Sequence, residues 1–128
     1  MLKEKSTHFS MLEGHAYLSL TTFRKNGDPV ATPVWFAQDG DKLYIMTATN
    51  SGKVRRIHHN AQVEVAPCAL NGDLLGATLE AMALIVPDDQ KSRANRPLIR
   101  KYGWQKRVYD LTYILRARKR TWLEITSM

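Results

Sequence analysis

The chain has 128 residues and a mass of 14.6 kDa, the size of one domain, 1–128, whose single core needs no covalent staple. With 44% hydrophobic and 24% charged residues it is not a disordered chain, and no apolar run reaches the length of a membrane span. Its charge of +7 is concentrated: residues 1–87 hold eight basic and eight acidic side chains, whereas residues 88–120 hold eleven basic against three acidic, an excess that attracts anions.

The single cysteine, Cys68, excludes an intrachain disulfide and a Cys/His zinc site. The N-terminal MLKEKSTHF has no apolar signal-peptide stretch, so a cytoplasmic protein without a membrane partner is expected.

Tyr17–Phe23 is rich in β-formers and predicts a strand, followed by a turn at Asn26-Gly27-Asp28-Pro29. A second strand over Val30–Ala37 meets a hairpin turn at Asp39-Gly40. The third, Lys42–Thr47, sets Leu43, Ile45 and Thr47 on one face and Tyr44 and Met46 on the other. Asn50 or Ser51 caps a short helix, Lys53–His59, with Val54 and Ile57 as its buried stripe. Gln62–Pro67 and Thr78–Val86 read as two more strands, separated by turn residues at Asn71-Gly72-Asp73 and Gly76. Beyond Pro87 the period becomes helical. Asp88–Asn95 forms one helix, and Pro97 opens another that ends at Tyr102 before Gly103. Trp104, Val108, Leu111 and Leu115 fall at helical spacing and give an amphipathic third. Thr121–Thr126 closes the chain as a strand. The class is mainly β: a six-stranded antiparallel barrel with helical additions.

No GxGxxG, P-loop, HExxH or GxSxG is present, and His58 and His59 are adjacent on a helix, about 100° apart, so they do not chelate one metal. No metal site is expected. With no nucleophile-and-base arrangement visible, any enzyme chemistry falls to a cofactor. One constellation suits one: Thr47-Ala48-Thr49-Asn50-Ser51-Gly52-Lys53-Val54-Arg55-Arg56 runs from a strand end into a helix start. Hydroxyls, first-turn amides and cations converge there, which suits a phosphate. Lys53 is then a point charge and Arg56 a planar donor. The same residues also describe a capped basic surface helix. Val34-Trp35-Phe36 is the second feature. Consecutive strand positions put the two rings on opposite faces. They fit either a wall for a flat aromatic cofactor or a barrel residue beside an interface residue.

In order along the chain, Tyr17-Leu18-Ser19-Leu20-Thr21-Thr22, Gly27-Asp28-Pro29, Thr32-Pro33-Val34-Trp35-Phe36, Ser51-Gly52-Lys53-Val54-Arg55-Arg56 and Val63 resemble the pyridoxamine 5'-phosphate oxidase-like split β-barrel superfamily. Val65-Ala66-Pro67-Cys68, Lys101-Tyr102-Gly103 and the closing strand are similar to its flavin/deazaflavin oxidoreductase branch, the probable coenzyme F420-dependent enzymes. The resemblance implies an FMN-binding type of split barrel, a homodimer with itself as partner, and FMN or coenzyme F420 between the subunits. It implies an oxidoreductase moving hydride to or from a small-molecule substrate. Lys53 and Arg56, or Arg55 in its place, match the phosphate-binding positions. Thr47, Thr49 and Ser51 match hydroxyl contacts, Ala48 lies among them, and Val34, Trp35 and Phe36 match the strand beside the ring. The substrate-phosphate signature of the vitamin B6 oxidase is not recognised in residues 104–128, so B6 oxidation itself is not expected.

Three rival readings remain at this level. One is a carrier or sensor that binds the cofactor without turnover. Another is a nucleic-acid module in segment 88–120, where Tyr102, Trp104, Tyr109 and Tyr113 interleave with charge. It ranks low because Trp104 and Val108 belong to the apolar stripe and are expected in the core or an interface. The last is a haem site using His15, His58 or His59.

Overall fold

The computed structural model describes residues 9–128. Seven strands form one sheet: β1 (Tyr17–Phe23), β2 (Pro29–Trp35), β3 (Ala37–Asp39), β4 (Lys42–Ala48), β5 (Gln62–Cys68), β6 (Leu79–Ile85) and β7 (Arg120–Ser127). Three helices join them: α1 (Gly52–His59), α2 (Lys91–Tyr102) and α3 (Trp104–Leu115). The sheet order is β2-β1-β5-β6-β7-β4-β3, with every pair antiparallel.

This order dictates curvature. β2 and β3 are the two edges of the sheet, yet only Phe36 separates them in sequence. Two peptide units reach about 7 Å at most, so the edges must meet there and the sheet must curl. The result is the half-closed barrel of the split-barrel fold. Leu18, Leu20, Leu43, Ile45, Val63, Val65, Leu123 and Ile125 fill its interior, Phe9 and Leu12 pack with them, and Ile57 joins from α1.

The seventh strand corrects the expected count of six. The predicted strand Val30–Ala37 is broken at Phe36, whose backbone leaves the ladder for side chains of α2. The Phe36 N–H donates to Tyr102 Oη at 3.0 Å, and its carbonyl accepts from Lys101 Nζ and Tyr102 Oη, both at 2.8 Å. Buried backbone groups need partners, and here a helix supplies them.

The helical layer also differs from expectation. α2 is one helix with Pro97 inside it, not two, and residues 88–90 form a 3-10 turn before it. Ala94, Leu98 and Tyr102 recur at i, i+4 and i+8 and bury one stripe against Tyr44, Met46 and Trp122 on the outer faces of β4 and β7. That packing outweighs the local cost of proline.

Candidate functional site

The turn from β4 into α1 gathers most of the predicted site. Thr47 and Ala48 are buried at the strand end, and Thr49 and Asn50 are exposed. Ser51 is the N-cap: its Oγ accepts from the Val54 N–H at 3.4 Å and from Thr47 Oγ1 at 3.4 Å. Thr49 is pinned from β7, its N–H donating to the Lys119 carbonyl at 3.0 Å and its Oγ1 accepting from Thr121 at 2.8 Å. The first helical amides, which have no carbonyl to bond within the helix, face outward from this turn.

Around it stand cations without an acid partner among the described residues. Lys53 is partly buried, and burial, then the charge of Arg56, pulls its pKa below the usual lysine value. Arg56 donates from Nε to Thr22 Oγ1 at 2.7 Å, and burial, Arg24 and Arg55 all lower its pKa. Arg55 reaches back to the Asn50 carbonyl at 3.1 Å. Among the described residues none of the three pairs with a carboxylate. The Arg56 guanidinium lies so close over Gly52 that a Cβ there would stand 2.6 Å from Nη1. Glycine at the first helical position thus gives that guanidinium its place above the helix start.

Beside this turn a cavity of about 270 Å³ is lined by Thr49, Asn50, Ala117, Arg118 and Lys119. Arg118 and Lys119 are the members of the basic segment that border it. They arrive through the register of β7 with β4, where Arg120 sits opposite Ala48, a long-range pairing that no local pattern announces. Much of the remaining basic segment is engaged elsewhere. Arg93 binds Glu124, Lys106 and Arg120 share Asp110, and Lys101 holds two carbonyls.

Val34, Trp35 and Phe36 are not in this cluster. Thr22, which Arg56 holds, pairs with Val30, whereas Trp35 pairs with Tyr17 at the far end of the same ladder. Val34 lies four residues from Val30, about 14 Å along the strand. Phe36 is a core side chain. Trp35 stacks on Tyr102 with centroids 4.3 Å apart and an interplanar angle of 8°, and touches Tyr109 at 4.9 Å. On the core-facing side of β2, between Val30 and Val34, the Thr32 Oγ1 is buried without a hydrogen-bond partner.

Tyr102 is the residue sequence reasoning underused. Its hydroxyl accepts from the Phe36 N–H and lies 2.8 Å from the carbonyls of both Phe36 and Ala16, fastening α2 over the corner where the sheet edges meet. Burial pushes its pKa up to about 12, so it stays a proton donor at neutral pH. The three histidines weighed for haem are scattered, His15 near the N-terminus and His58 and His59 exposed at the end of α1. No group of metal-binding side chains occurs among the described residues.

Comparison with known proteins places this geometry. An F420 reductase matches with a TM-score of 0.56 and 24% identity, over 94% of this chain and 92% of that one. HutZ, the heme storage protein of Vibrio cholerae, matches with a TM-score of 0.68 and 14% identity, over 93% and 86%. A heme binding protein of Mycobacterium smegmatis matches with a TM-score of 0.65 and 15% identity, over 94% of this chain and 50% of that one. At these identities the likeness is one of fold. No curated protein sequence matches the chain significantly. The model of the pyridoxamine 5'-phosphate oxidase family matches residues 5–127, nearly the whole chain, and the chain belongs to that family.

Proposed function

We propose that the chain is a flavin-type oxidoreductase that holds FMN or coenzyme F420 with the anionic group at the start of α1. The observation that carries this reading is the pair of cations there, Lys53 and Arg56, partly desolvated yet, like the exposed Arg55 beside them, matched by no carboxylate among the described residues. An anion supplies the missing counter-charge. The strand-length separation between this cluster and Val34 suits an elongated ligand, anionic at one end and flat at the other.

The bound cofactor would supply hydride chemistry. The chain's own part is binding and orientation. Lys53 and Arg56 neutralise the anion, Ser51 and the first amides of α1 fix its direction, and Arg118 and Lys119 extend the positive field to further carboxylates or phosphates. β2 sets the plane of the ring. A second copy completes the site in this proposal. Leu70, Leu74, Leu75 and Leu84 are exposed along the β5–β6 connection and β6, and they offer the apolar area it would cover.

Equilibrium ultrafiltration tests the reading. Protein incubated with FMN or with F420 should retain one chromophore per chain after washing, and enone or quinone reduction should follow. Retention without turnover would mark a carrier. A Soret band with haemin and no retention of either flavin-type molecule would overturn the proposal.

A further inference from the structure

α3 turns its apolar stripe away from the molecule. At 100° per residue, Trp104, Val108, Leu111 and Leu115 fall within an arc of about 60°. Trp104 is 73% exposed and Leu115 75%, with Val108 and Leu111 at half or more. The opposite side of the helix carries Lys106, 1% exposed, and the buried Tyr113. This orientation is locked. Lys106 pairs with Asp110, which also binds Arg120 on β7 at 2.9 Å. Tyr109 packs on both Trp35 and Tyr113. Turning the stripe inward would break a buried charge pair, so the outward stripe is the stable arrangement.

The flanks of the stripe are cationic. Arg107 stands on one side and Arg116 on the other, both exposed and with no ion pair among the described residues. The only acid of α3, Asp110, is used inward. We propose that this face of α3 docks on an anionic lipid surface. The apolar stripe enters the boundary between headgroups and acyl chains, and the flanking cations meet lipid phosphates. No helix among the described residues is long and apolar enough to cross a membrane, so the contact is one of lying on the surface.

Charge favours lipid over another copy of the chain. A twofold contact through this face would bring its cationic flanks, Arg107 and Arg116, against those of the second copy with no acid on the outer side of α3 to answer them. A nucleic-acid backbone would meet hydrocarbon at the centre of the face and charge only at its margins.

The test uses the full chain and vesicles. Flotation with phosphatidylglycerol vesicles should carry the protein up at low salt, while pure phosphatidylcholine vesicles should not. Brominated acyl chains should quench Trp104 emission. Arg107→Gln and Arg116→Gln should each weaken partitioning roughly fivefold. Leu111→Ser with Leu115→Ser should abolish quenching while far-ultraviolet circular dichroism and melting stay as in the parent. Absence of flotation with anionic vesicles at low salt overturns the proposal. So does a change from dimer to monomer in the Leu111→Ser, Leu115→Ser variant without vesicle binding, which would assign the face to a second copy. Duplex DNA binding in place of vesicle binding overturns it too.

Discussion

Gly52 and Arg56 show how one missing side chain can shape a site. Alanine at position 52 would meet the movable end of the Arg56 side chain rather than backbone, so the fold has little to lose. Gly52→Ala should leave melting unchanged or slightly higher while flavin-type binding weakens, a divergence that titration and calorimetry read together. Lys53→Ala should cost more, roughly ten- to a hundredfold in affinity, because a charged hydrogen bond is lost. The pH dependence has a definite sign. Lys53 must be protonated to attract an anion and its pKa is already depressed, so affinity should fall as pH rises through that depressed value, below the ordinary 10.5. Ser51-Gly52-Lys53 was legible in the sequence because capping and charge are local properties. The role of Tyr102 was not, since its partners are Ala16 and Phe36, far off in the chain. Tyr102→Phe leaves the buried Phe36 N–H without an acceptor and should destabilise the fold by about 1–3 kcal/mol in denaturant unfolding.

Among the elements, α2 and α3 separate what periodicity can and cannot tell. α3 was readable as a helix, and α2 as helical but divided in two before Pro97. Which side of α3 is buried was not, because an apolar stripe ordinarily marks the inner face and here a Lys–Asp–Arg cluster replaces it. The contrast can be measured. Leu98→Ala on α2 should cost about 2–5 kcal/mol, whereas Leu111→Ser on α3 should stay within about 0.5 kcal/mol. β7 contributes a second polar device, the buried Glu124. Burial raises its pKa, but the hydrogen bond from Arg93 at 2.7 Å, the charge of Lys42 and the Tyr44 hydroxyl outweigh that, and the net shift is downward from 4.5. A depressed carboxyl contributes stability above its unfolded pKa, and that share is lost as pH falls through the folded value. Glu124→Gln should therefore lower stability at pH 7 and flatten the loss of stability on acidification below pH 4.5, as followed by melting temperature against pH.

At the scale of the whole molecule, the strands of the sheet were almost all visible as alternating runs, with Lys42–Thr47 read nearly to the residue. The break at Phe36 was invisible because its cause lies in α2, as was the order of strands that brings the edges together. That order puts the turn from β4 into α1, where we propose the anionic group sits, and Val34–Phe36 at opposite ends of the β1–β2 ladder, which sets the length of the proposed ligand. Isothermal titration of FMN and of F420 into the parent chain and into Lys53→Ala, with Lys91→Ala as a cation placed elsewhere, tests that arrangement most directly. The account predicts a Kd below about 10 µM for one of the two molecules, unchanged in Lys91→Ala and weakened at least tenfold in Lys53→Ala. Failure of both molecules to bind, or equal affinity in all three proteins, would contradict it.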